Sequence, residues 1–120
     1  MAARPFEASV RFRPGVAIVD LHGELDATGE DALNAAYAHA NSRSPATILL
    51  NFGDMQFMDT TGIALIVGLL GRARADGITV AACRLSDHYR EIFEITRLSD
   101  FMSIHADEQS ARAAAREGEQ

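Results

Sequence analysis

Asp59, Thr60, Thr61 and Gly62 stand together at the head of an apolar run, and their types and spacing are the ones in this 120-residue chain best suited to chemistry. An acid and two hydroxyls at the start of a helix have two uses. As caps, their oxygens accept hydrogen bonds from the N–H groups that the first turn leaves unpaired. As a modification site, a hydroxyl at the positive end of the helix dipole favours a phosphate, which brings about −1.5 to −2 charges and three acceptor oxygens. Asp59, and Asp26 if the fold brings it near, oppose that charge. From the residues alone, capping is the use to expect.

Other reactive groups do not assemble. Glu24 and Asp26 are two residues apart, with no second catalytic group to make them an acid/base pair. His22, His39, His88 and His105 lack an H-x3-H or Cys/His spacing, so no metal is expected. Cys83, the single cysteine, lies in the apolar run ITVAAC and reads as a small buried hydrophobe, with neither a disulfide nor redox chemistry. The chain has no lysine, no phosphate-gripping G-x-x-x-x-G-K-[ST] and no strand-linked G-x-G-x-x-G, so nucleotide hydrolysis is unsupported. It reads as the substrate of an enzyme, not as an enzyme, and needs no cofactor.

The elements that must position Asp59 to Gly62 follow from periodicity and punctuation. Glu7–Arg13 and Val16–Leu21 flank Pro14-Gly15 and read as a β-hairpin. After HGELDA, Thr28 with Asp31 resembles a capping box, and Ala32, Leu33, Ala35, Ala36 and Ala40 give a helical stripe that ends near Ser42. ATILLNF has no polar alternation, as befits a strand covered on both faces. Gly53-Asp54 reads as a turn, QFM as a short extended piece, and Thr60 to about Ala75 as a helix stopped at Asp76-Gly77. ITVAA is the next strand. Ser86 or Asp87 caps a helix over HYREIFEIT, with Tyr89, Ile92, Phe93 and Thr96 on one face. FMSIH is a last strand, and DEQSARAAAR a last helix with acids in its first turn and arginines in its last. The expected architecture is α/β: one domain over residues 1–120, with its core at about 6–110, and a mixed sheet with helices between its strands. In such sheets sites form past the carboxyl ends of strands. HGELDA and FMDTTG are placed to meet there.

Composition bounds the partners. The chain is 48% hydrophobic and carries a net charge of −6, from 17 acids and 11 bases that are all arginine. That disfavours a phosphate-tracking nucleic-acid surface or a polybasic anchor and points to protein partners. Ile63 to Leu70 is too short to cross a bilayer, and MAARPFEAS lacks an apolar leader region; a cytoplasmic protein is expected. At about 100° per residue, Ile63, Ile66, Val67 and Leu70 fall on one side of the central helix and Leu65, Leu69 and Arg72 on the other. Later helices could bury the second side, or Leu65 and Leu69 could be an exposed pair that a partner covers. Gly68 and Gly71 each cost roughly 1 kcal/mol of helix propensity, which predicts that another backbone or side chain comes close.

The run LNFGDMQFMDTTGIALIVGLLGRARADGITV, preceded by GELDA and followed by IFEITRLSDF, resembles the STAS domain of bacterial anti-sigma factor antagonists. Three motifs carry the likeness: GELD at Gly23–Asp26, D-[S/T]-[S/T]-G at Asp59–Gly62, and F-[E/D]-[I/L/M]-[T/S]-x-L at Phe93–Leu98. The resemblance implies a four- or five-stranded sheet flanked by about four helices. It also implies a protein that binds an anti-sigma factor which is itself a serine/threonine kinase. Unphosphorylated, such an antagonist occupies the anti-sigma factor and frees sigma; the kinase phosphorylates it to end the association, and a phosphatase resets it. The acceptor maps to Thr60, with Thr61 as the second choice. Threonine stands where serine is usual, and its methyl group restricts the rotamers open to in-line attack, so slower phosphorylation is expected. Asp59, Thr61, Gly62, Leu65, Leu69 and Arg72 would complete the partner surface. In it Gly62 keeps the first turn clear for a close approach and Asp26 meets a basic group. The pattern also resembles the unmodified STAS adaptor of lipid-transport ATPases, which would use the same helix face as a permanent docking surface.

Overall fold

Pro14 and Gly15, the latter at φ 76°, turn the chain between β1 (Glu7–Arg13) and β2 (Val16–Leu25) in the computed structural model, which describes residues 4–118. The hairpin is antiparallel, with Val10 opposite Val19. β2 runs past the expected Leu21 and takes in HGEL. Gly23 permits this: its φ is +86°, and a Cβ there would lie 2.3 Å from the Pro5 carbonyl oxygen. α1 (Glu30–Asn41) leads to β3 (Thr47–Met58), α2 (Thr60–Ala75) to β4 (Thr79–Cys83), α3 (Asp87–Ile95) to β5 (Ser103–His105), and α4 (Glu108–Gly118) follows. The five strands lie in sequence order, and every pairing after the hairpin is parallel. The mixed α/β sheet matches the expectation. FMSIH is strand only over Ser103–His105, because Leu98–Asp100 forms a 3-10 turn ahead of it.

Two local readings are corrected. Gly53-Asp54 makes no turn: β3 continues through it to Met58, and its register with β2 shifts twice, each time by one additional β3 residue. Asn51 stabilises the first irregularity, its Oδ1 accepting from Gly53 N at 3.0 Å while its Nδ2 donates to Asp20 at 2.8 Å. The capping box at Thr28 and Asp31 does not form. Asp26 is the cap instead, its Oδ1 accepting from Thr28 N at 2.9 Å, and a 3-10 turn over Ala27–Gly29 precedes α1. Consequently α1 turns Leu33, Ala36, Tyr37 and Ala40 inward and leaves Ala32 and Ala35 exposed.

Strand alternation sends side chains to two cores. Val19, Leu50, Phe52 and Val80 meet Leu33, Ile66, Leu69 and Phe93 from α1, α2 and α3. Ile18, Leu49, Ala81 and Cys83 meet Ala111 of α4 on the opposite face, so ILL is covered on both sides as its composition predicted. Burial pushes the Cys83 thiol up to about 11 and keeps it un-ionised at neutral pH.

Arg11 ties β1, β2 and α4 together, with Nε 2.6 Å from Asp20 and one terminal nitrogen 2.6 Å from Glu108. Burial by itself raises the Asp20 pKa, but hydrogen bonds from Arg11 and Asn51 outweigh it and hold the carboxyl below its usual range. A depressed folded pKa stabilises the fold above the unfolded pKa, ordinarily about 3.9, and that contribution vanishes as pH falls through the folded value. Urea unfolding between pH 7 and pH 3 should therefore lose less stability in Asp20→Asn than in the wild type. Identical acid limbs would remove Asp20 from the account.

Candidate functional site

β2 and β3 leave the sheet side by side. They are parallel, and Leu25 pairs with Met58, so Asp26 and Asp59 are the first residues past two adjacent carboxyl ends. HGELDA and FMDTTG thus meet, as their order predicted. Asp59 N donates to the Leu25 carbonyl at 3.2 Å, stitching the two ends together.

Asp59 is also the cap of α2. Its Oδ1 accepts from Gly62 N at 2.8 Å and its carbonyl from Ile63 N at 3.0 Å. Of the residues able to cap this helix, the acid does so. Thr60 and Thr61 are both exposed, and neither hydroxyl makes a hydrogen bond among the described residues. Tyr89 on α3 steadies the strand end, accepting from Met58 N at 2.8 Å and donating to Met58 O at 3.3 Å. Sequence periodicity put Tyr89 on the buried face of its helix but held no signal for this pair of bonds. At the neighbouring strand end, hydrogen bonds from the Thr28 hydroxyl and then its N–H lower the Asp26 pKa, leaving a fixed anion beside α2.

Gly62 serves a different end from the one expected. It is buried, and a Cβ on it would lie 2.1 Å from the Leu25 carbonyl oxygen. The close approach it permits is that of β2, inside the chain. Gly62→Ala should therefore cost about 2–3 kcal/mol net, even after the roughly 1 kcal/mol that alanine adds to helix propensity, because the start of α2 must move off Leu25 and strain its cap. A urea midpoint equal to the wild type would contradict this packing.

The docking of Gly62 also sets the rotation of α2. Gly62, Ile66, Leu69, Leu70 and Ala73 turn inward, at the spacing of one helix face. Leu69, on the side left open between burial under later helices and cover by a partner, is 1% exposed, whereas Val67, grouped with Ile66 and Leu70, is 45% exposed. Leu65 is half-buried and packs against the core, so the proposed exposed pair does not exist. Arg72 is exposed, but it donates to Asn34 at 2.7 Å and stacks 4.8 Å from the Tyr37 ring, joining α2 to α1. The outward ridge is instead Thr60, Ala64, Val67, Gly68 and Gly71. A Cβ on Gly68 or Gly71 would meet nothing within 4 Å, so no other described element crowds the space a side chain would take there. Phe57, two residues before Asp59, is 50% exposed and adds an apolar group that periodicity did not pick out.

Among the described residues no group of three or more metal-ligating side chains forms, and no helix is long and apolar enough to cross a membrane. The site is one of exposed hydroxyls, fixed acids and a shallow ridge. Its sequence environment is shared: the family profile of the STAS domain matches residues 7–111. The chain belongs to the STAS domain family. It is 30% identical over 98 residues to the anti-sigma F factor antagonist of Paenibacillus polymyxa, covering 81% of this chain and 84% of that one. The crystal structure of an anti-sigma factor antagonist from Mycobacterium paratuberculosis superposes with a TM-score of 0.76 at 20% identity, over 93% of this chain and 95% of that one. The phosphorylated form of the Bacillus cell fate determinant SpoIIAA gives 0.67 at 22% identity, over 92% and 99%. At such identities the two structures speak to the fold, and both share it.

Proposed function

We propose that this STAS chain is an anti-sigma factor antagonist switched by phosphorylation of Thr60, with Thr61 as the second choice. Unphosphorylated, it occupies an anti-sigma factor that is also a serine/threonine kinase, and so frees sigma; a phosphatase reverses the modification. One observation carries the reading. Asp59 caps the helix start, which leaves the Thr60 hydroxyl exposed and, among the described residues, unbonded at the electropositive end of α2. The name of the Paenibacillus relative and the phosphorylated form of the Bacillus protein agree with it.

The chemistry belongs to the partner. The Thr60 oxygen attacks the γ-phosphorus of the kinase's ATP in line, ADP departs, and the hydroxyl proton passes to a base on the kinase. The phosphate then lies beside Asp59, on the surface the partner must desolvate. Burying that dianion next to a carboxylate costs more than neutral contacts return, so the complex opens while the fold, solvated there, stays intact.

Incubation with the kinase encoded nearest to its gene and ATP, followed by intact mass and peptide mapping, tests the reading. One phosphate on Thr60 is the expected result. Stable capture without phosphate uptake would favour a permanent docking subunit.

The ridge makes a second test. Gly68 and Gly71 give up helix propensity with no internal packing in return, as fits a surface where another backbone approaches. Gly68→Ala should raise stability by about 1 kcal/mol, and Gly68→Arg should leave the melting temperature within a few degrees while weakening partner capture about tenfold or more. Undiminished capture by the arginine variant would move the interface off the ridge.

A further inference from the structure

We propose that the outer edge of β1 pairs with the same edge of a second copy of this chain, joining two five-stranded sheets across a two-fold axis. β1 has only β2 as a neighbour, so one row of its N–H and C=O groups has no strand partner among the described residues. Such an edge is a template for another strand. Among the described residues, the segment that leads into it does not cover it: the Arg4 carbonyl accepts from Glu24 N at 3.1 Å and is held against the end of β2.

The sequence of this edge is complementary to itself. Paired antiparallel about Val10, Glu7 falls opposite Arg13 of the second copy, Ala8 opposite Phe12, Ser9 opposite Arg11 and Val10 opposite Val10, which uses all seven residues of the strand. Glu7 and Arg13 are exposed and in no ion pair among the described residues; Arg13 donates to the Phe12 carbonyl at 2.8 Å, a bond that pairing with Glu7 of the second copy would replace. Other registers fit less well. A shift of two residues either way shortens the ladder; one way sets Arg11 against Arg11, and the other sets Glu7 against Arg11, which Asp20 and Glu108 already hold. Ala8, Val10 and Phe12 are partly buried against the larger core, and the pairing would cover them further. Pro5 and Pro14 bracket the strand and donate no N–H, which confines the pairing to β1, and the far edge, β5, is only three residues long. The result is a closed dimer, not a filament. Thr60 lies at the end of β3, so both copies keep it open, and the dimer does not depend on the antagonist reading.

Sedimentation equilibrium of the full chain tests the proposal. The wild type should have twice the 13.0 kDa chain mass. By symmetry each dimer holds the Glu7–Arg13 pair twice, so Glu7→Arg or Arg13→Glu alone should weaken self-association by about tenfold or more, since attraction becomes repulsion at both places. The double variant Glu7→Arg/Arg13→Glu should restore it, with circular dichroism confirming that all three variants are folded. A wild type that stays monomeric to its solubility limit, a dimer that neither reversal weakens, or a double variant that fails to reassociate would overturn the proposal.

Discussion

Thr60→Ala should take up no phosphate from the cognate kinase while remaining folded and able to capture it. Folding should change by less than about 0.5 kcal/mol, because the side chain is exposed and makes no hydrogen bond among the described residues. The partner should then stay bound in the presence of ATP, when it would otherwise release the wild type. Thr61→Ala is the control and should be modified at Thr60 as before. Thr60→Ser removes the methyl group that restricts the attacking rotamer and should be phosphorylated several-fold faster. Intact mass after timed incubation reads all four proteins. Undiminished labelling of Thr60→Ala would transfer the acceptor role to Thr61 or elsewhere. Equal rates for serine and threonine would remove the rotamer argument but leave the site intact.

Leu69→Arg should abolish the fold. Leu69 is 1% exposed in the larger core, beside Ile66 and Leu70 of its own helix. Truncation of such a leucine to alanine costs about 2–5 kcal/mol. Arginine loses the same packing, overfills the site and buries a charge with no partner, against a total stability on the order of 5–15 kcal/mol for a domain of this kind. Circular dichroism should show no cooperative melt. Val67→Arg, on the same helix but at a position 45% exposed, should melt like the wild type. If the two variants behaved alike, the rotation of α2 set by Gly62 would be wrong. The contrast also separates loss of partner binding through unfolding from loss through a damaged interface, which Leu69 variants alone cannot do.

These two residues mark the boundary between what could be read from the chain and what could not. The span of α2, Thr60–Ala75, was legible because its signals are local: Asp59 caps only the turn directly after it, and Asp76-Gly77 stops only the turn directly before it. The mixed order of strands and helices, the two-sided burial of ILL and the meeting of HGELDA with FMDTTG come from the same short-range punctuation together with the rule for parallel strand ends. The motif at Asp59–Gly62 located the candidate hydroxyl. What the chain does not state locally is which side of an apolar helix faces inward. α2 has apolar residues around most of its circumference, so its periodicity is nearly neutral about rotation. Contact between Gly62 and the Leu25 carbonyl decides it, and those residues lie on different elements, brought together only when β2 and β3 pair. The same holds for Tyr89, whose hydroxyl reaches Met58 across the sheet end, and for Gly53-Asp54, whose turn propensity yields to a ladder of hydrogen bonds with β2. Sequence determined where α2 begins and ends and which residues could react; tertiary packing determined which of them face outward, because rotation and register are set by contacts between residues far apart in the chain.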